Sequence, residues 1–149
     1  QYNLVFAPHI KLFNGRKPDV LNPYKQCENI IIDVSSYKLM DASYTSLAHV
    51  YIGDVSSQVY EFLYFGLKPV IFLDSFNRLQ WQSNPSFKMW SAGVVINNMA
   101  EFPRAVAMAQ RAHGGFMGVQ RSLVARKFSQ TKTKPGLRGA QAIADFMAL

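Results

Sequence analysis

The sequence predicts an α/β fold: one domain on a parallel sheet of about five strands, with helices on both faces. Three observations carry that prediction. Five short apolar runs alternate with segments of helical periodicity, the pattern of strands joined by helical crossovers. Residues 49–74, HVYIGDVSSQVYEFLYFGLKPVIFLD, hold a complete strand–turn–helix–strand unit of the length a parallel crossover needs. The 149 residues, 49% of them hydrophobic, supply one sizeable core, yet no apolar run approaches the roughly 20 residues of a membrane span.

In chain order, Tyr2 to Ala7 is the first strand, closed by Pro8-His9. Lys11 to Phe13 begins a short helix or loop, and residues 14–19 and Asn22-Pro23 are irregular, punctuated by Gly and Pro. Asn29 to Val34 (NIIIDV) is the second strand. Ser35-Ser36 can cap, and a helix from Met40 to Ala48 leads to the third strand at Val50 to Ile52. Gly53 to Ser57 is turn chemistry, after which Val59, Phe62, Leu63 and Phe65 recur near helical spacing. Gly66 stops that helix, and Pro69 precedes a buried strand at Val70 to Leu73. The stretch from Ser75 to Trp90 reads as an insertion or substrate loop with two tryptophans. Gly93 to Asn97 is the fifth strand. Pro103 suits the first turn of a helix ending near Ala112, and Gly114-Gly115 breaks it. Helices at 116–128 and 139–149 follow, separated by a basic linker at 131–135. Lacking partner strands, these C-terminal helices must pack back on the sheet or on a missing domain. The sum is a Rossmann-like sheet.

Composition narrows the function classes. A single cysteine, Cys27, excludes a disulfide framework and suits a reducing, cytoplasmic compartment. Residues 1–99 carry 8 Lys/Arg against 7 Asp/Glu, whereas residues 100–149 carry 8 against 2. That basic third points to substrate phosphates or an anionic membrane surface, with Arg121, Arg126, Lys127, Lys132, Lys134 and Arg138 as candidates. Nucleic acid is not expected as a partner, because the basic residues are not interleaved with stacking aromatics and no recognised nucleic-acid motif appears. No Gly-x-Gly-x-x-Gly or Walker sequence is present, and no His/Cys cluster has metal-ligand spacing. No metal or cofactor is therefore expected, and Asp33, Asp54 and Asp74 at strand ends are explained as caps. The chain opens directly on a strand, which suggests a fragment whose N-terminal part is missing.

The turn after the third strand is the candidate site. Ser56, Ser57 and Gln58 head the helix that follows, where unpaired N–H groups gather and can hold a diphosphate. In the same stretch, GDVSSQVYEFLYFGLKPVIFLD resembles the donor motif of GT-B transferases, specifically the CDP-glycerol glycerophosphotransferase group that builds teichoic-acid-like polymers. The matching residues are Asp54, Ser56, Ser57, Glu61, Lys68 and Pro69, with Val55 where Tyr is usual and Glu61 where Asp is usual. Pro8-His9 resembles the group's strand-end His-Pro element, with Ile10 in place of the Pro, and the tail resembles its closing helix without the expected Arg. The resemblance implies the C-terminal, donor-binding half of a two-domain enzyme, inactive alone, whose N-terminal acceptor domain is absent from this chain. It also implies action on membrane-anchored polymers, hence a peripheral place at the inner membrane face.

On this reading the donor is CDP- or UDP-linked and a glycosyl or glycerophosphate group is transferred. Glu61, four residues after Ser57, accepts hydrogen bonds from the ribose. His9, at a strand end, serves as the catalytic proton donor or as a cation beside the leaving diphosphate. Asp54 orients the turn by accepting backbone N–H bonds. The nucleobase lies near Val34 to Leu39. His49 and His113 read as helix ends. Two other classes stay open: a nucleotide-sugar epimerase or hydrolase using the same pocket, and a non-enzymatic flavodoxin- or receiver-like module.

Overall fold

The computed structural model describes residues 2–13, 19–78, 80–129 and 131–148, and residues 14–18 of the irregular segment expected at 14–19 lie outside them. The chain is α/β with parallel strands. Strand β1 (Leu4–Phe6) pairs in parallel with β2 (Ile30–Ile32), Val5 opposite Ile31. Strands β3 (Tyr51–Gly53), β4 (Val70–Leu73) and β5 (Val94–Ile96) form a second parallel sheet in that order. The single five-stranded sheet expected from the sequence is thus observed as two hydrogen-bonded sheets, one of two strands and one of three. Strands of three or four residues offer little backbone for a ladder. In the first sheet Leu4, Val5 and Ile31 remain exposed.

The three-stranded sheet is covered on both faces, because β4 alternates. Val70 and Phe72 face a core built with Val59, Phe62 and Leu63 of helix α2 (Gln58–Tyr64) and Leu123 and Val124 of helix α4 (His113–Lys127). Ile71 faces the other way, toward Ile96 and toward Ala105, Val106 and Ala109 of helix α3 (Phe102–Arg111). This period-two alternation sends successive side chains to opposite layers.

Several elements depart from expectation. The helix expected from Met40 to Ala48 is a 3-10 turn, Tyr37–Leu39, followed by a five-residue helix α1 (Ser43–Leu47). The break has a local cause: the Asp41 carboxylate takes the Ser43 N–H at 2.9 Å, and Ala42 is left-handed with φ 63°. Asn22-Pro23 lies within a 3-10 helix, Asp19–Tyr24. Gly114-Gly115 does not separate helices: α3 ends at Arg111 and both glycines fall in the first turn of α4, so His113 begins a helix rather than ending one. The last helix, α5 (Pro135–Met147), starts before Gly139, with Pro at its first position, where no N–H is needed. It buries none of its residues and leaves Leu137, Ile143, Phe146 and Met147 exposed. None of the described helices is long and apolar enough to cross a membrane.

The expected tryptophan loop is instead core. Two 3-10 helices, Trp81–Ser83 and Pro85–Ala92, place Trp90 at 0% exposure. Its ring stacks on Phe72 at 6.1 Å and meets Phe87 and Trp81 edge-on at 4.8 and 5.6 Å.

Candidate functional site: the strand ends and the Gly53–Ser57 turn

Parallel strands bring their C-terminal ends to one edge of each sheet, and five loops leave from there. After β2, Asp33 is a hub. Its carboxylate accepts the Ser35 and Ser36 N–H groups at 3.2 and 2.9 Å, the Tyr44 hydroxyl at 2.7 Å and the Ser36 hydroxyl. Those donors, the Ser36 hydroxyl foremost and then Tyr44, hold the carboxyl far below the usual carboxylate range. The same bond pushes the Tyr44 phenol up.

After β4, Asp74 plays the matching part. At 4% exposure it accepts the Phe76 and Arg78 N–H groups at 3.3 and 2.5 Å and pairs with the Arg78 guanidinium at 3.3 Å. Arg78 also lies over the Phe76 and Phe87 rings at 4.6 and 4.9 Å. Asp33 and Asp74 are therefore caps, as expected, with their oxygens occupied by the loops they organise.

The turn after β3 is built around a residue the sequence reading passed over, Tyr51. Its ring packs on Phe62 at 5.6 Å and folds back over the turn, so close to Gly53 that an added Cβ there would meet the phenol oxygen at 2.7 Å. Burial pushes the phenol up; a hydrogen bond with Ser56 opposes this, and the charges of Asp54 and Glu61 add to it. Tyr51 thus lies beside Ser56 and within electrostatic reach of Asp54 and Glu61. An aromatic two residues before a strand-end glycine, in an otherwise aliphatic run, is the signal that could have revealed it.

The two serines divide the work. Ser56 Oγ accepts the Gln58 N–H at 3.2 Å and closes the turn. Ser57 occupies the N-cap position in helical conformation, makes no side-chain capping bond and is exposed. Gln58 is half-buried, and Glu61 is exposed one turn further on. The orienting role expected of Asp54 is not observed: its carboxylate is exposed and accepts no hydrogen bond among the described residues, because Ser56 already holds the first helical N–H. Helix α2 has only seven residues, too few to sum to a long helix dipole.

Cations are scarce at this turn. No Lys, Arg or His occurs from Gly53 to Leu67. Lys68, matched to the donor motif, points elsewhere: its ammonium donates to the Ser46 and Ala48 carbonyls at 3.0 and 2.7 Å and sits 4.7 Å over Phe62. Partial burial lowers its pKa. His9 is exposed three residues after β1, in the first sheet, whereas the serines and Glu61 belong to the second.

No family model, curated protein or solved structure matches this chain.

The basic third is distributed unevenly. Arg121, Arg126 and Lys127 lie on α4, Lys132 and Lys134 precede α5, and Arg138 lies on it. Lys127 is drawn over the Tyr60 ring at 5.3 Å and Arg138 donates to Ser129 at 2.6 Å.

Proposed function

We propose that this chain is the donor-binding domain of a transferase that moves a glycosyl or glycerophosphate group from a CDP- or UDP-linked donor. One observation carries the reading: Ser57 presents a hydroxyl committed to no cap at the C-terminal end of β3, and Glu61 follows one turn later on the same helix face. Residues so spaced have Cβ atoms about 5–6 Å apart, which lets one reach a phosphate and the other a ribose diol. In the finer architecture of this proposal β1 docks beside β3, giving the doubly wound order 2-1-3-4-5. Ligands of that order lie in the crevice between the first and third strands. His9 and Ser57 would then stand on opposite lips, and His9 would supply positive charge that the turn itself lacks. Asp54 and Glu61 repel a diphosphate, so binding by the chain alone is weak. A receiver-like module finds less support, since Asp33 and Asp74 are already occupied by backbone N–H groups.

Titration calorimetry with CDP, UDP, ADP and GDP tests the proposal. A pyrimidine diphosphate should bind more tightly than either purine. In Ser57→Ala the loss should appear with CDP but not with cytidine, and in Glu61→Ala with both. A purine preference, or no binding to any of the four, sinks the reading.

A further inference from the structure

We propose that the groove between the 3-10 helix Pro85–Ala92 and α4 binds a small molecule bearing a phosphoryl group. The groove holds about 350 Å³, near the lower end for small-molecule sites. Two cations, Lys88 and Arg126, and two hydroxyls, Ser91 and Ser122, line it beside apolar Val119 and Leu123. Neither bordering element contains an acidic residue, and neither cation has an acidic partner among the described residues. The Ser91 hydroxyl donates to the Lys88 carbonyl at 2.5 Å, whereas that of Ser122 makes no hydrogen bond among the described residues. An ammonium, a guanidinium fork and a free hydroxyl round a cleft with one apolar wall suit a dianionic phosphoryl group on a compact carrier.

Gly118 shapes the groove, although Gly114 and Gly115 of the same helix are equally open. It lies inside α4, where glycine is less favourable than alanine, yet a Cβ built there meets no atom within 4 Å. No steric demand keeps a side chain away from this position. What its absence does is leave the groove open, since Gly118 is part of the lining. Leu123 belongs to the same core cluster as Trp90, so filling the groove should perturb tryptophan emission. The groove shares no residue with the Gly53–Ser57 turn.

The test titrates the full chain with inorganic phosphate and with pyrophosphate, following tryptophan fluorescence and the amide shifts of Gly118 and Ser122. Saturable binding that weakens with salt is expected. Lys88→Gln and Arg126→Gln should each lower affinity about tenfold, while Lys25→Gln, removing the same charge outside the groove, should change it less than about twofold. Gly118→Leu should abolish binding while raising the melting temperature, which separates occlusion from misfolding. Ser57→Ala should leave the groove's affinity unchanged, so failure here and failure of the donor-site reading can be told apart. Sedimentation with phosphatidylcholine vesicles, with and without phosphatidic acid, identifies the source of the phosphoryl group. Co-sedimentation lost in Arg126→Gln and Gly118→Leu marks a lipid headgroup; phosphate binding without co-sedimentation marks a soluble ligand. Absence of both, or equal losses in Lys25→Gln, overturns the proposal.

Discussion

The side-chain amide of Gln120 donates to the carbonyl oxygen of Ala92 at 2.9 Å and, through the same nitrogen, to that of Lys68 at 3.0 Å. These carbonyls lie just before β5 and β4, so one fully buried group on α4 satisfies the entrances of two strands. His113, two turns earlier on the same face of α4, meets the amide oxygen at 3.2 Å. Gln120→Leu keeps the volume but leaves two carbonyls unpartnered, and should cost about 3 kcal/mol. That corresponds to a melting temperature lower by about 6–12 °C. Gln120→Glu should be worse, since it faces a carboxylate toward two carbonyl oxygens. Urea denaturation measures both, and wild-type stability in either would show that the amide bonds contribute nothing.

Gly93 is required by space rather than by backbone conformation. Its φ of −164° is ordinary extended geometry, but an added Cβ would lie 2.3 Å from the Val70 carbonyl oxygen. Backbone cannot swing aside as a side-chain tip can, so Gly93→Ala should force β4 and β5 apart at a cost of about 3 kcal/mol. Thermal unfolding of the alanine variant is the check; a loss under about 0.5 kcal/mol, the range of ordinary surface changes, would mean that the close approach is not real.

Asp33 makes the fold acid-sensitive. Its folded-state pKa is depressed below the ordinary 3.8, so its stabilising contribution is complete above that value and is lost as pH falls below it, toward the folded-state value. Asp33→Asn should lower stability at neutral pH and flatten the acid limb below about pH 4. Fluorescence-monitored unfolding across pH would show this as converging curves for the two proteins. Parallel curves would mean that Asp33 does not carry the acid dependence.

Ser56 and Ser57 should separate by stability as well as by binding. Ser56→Ala removes the bond to the Gln58 N–H and should cost about 1 kcal/mol. Ser57→Ala breaks no cap and should stay within about 0.5 kcal/mol of the parent. A reversed order in chemical denaturation would place the cap on Ser57 and free Ser56 for the ligand.

The parts that local chemistry dictates were legible in the sequence. Apolar runs at 70–73 and 94–96 are strands, Gly66 ends α2, and Pro103 sits in the first turn of α3. What escaped depends on partners distant in the chain. Trp90 reads as a loop residue until Phe72, Phe87 and Trp81 surround it. Gln120 is one polar residue on a helix with no clean apolar stripe, and its role appears only once Lys68 and Ala92 lie beneath it. Within the candidate turn, residue types could locate two serines and an acid, but not which serine caps. That is set by the backbone of the turn, in which Ser57 is already helical and Ser56 Oγ takes the Gln58 N–H. Lys68 misleads for the same reason, since its motif position says nothing of the α1 carbonyls it reaches.

Helix α1 is held by different sheets at its two ends. Tyr44 reaches Asp33 at the end of β2, while the Ser46 and Ala48 carbonyls receive Lys68, two residues before β4. Mechanically it is a link pinned at both ends, and any shear of the two-stranded sheet against the three-stranded one loads one pin or the other. A five-residue helix, too short to persist by its own backbone bonds, would then act as the joint through which the two sheets sense each other's position.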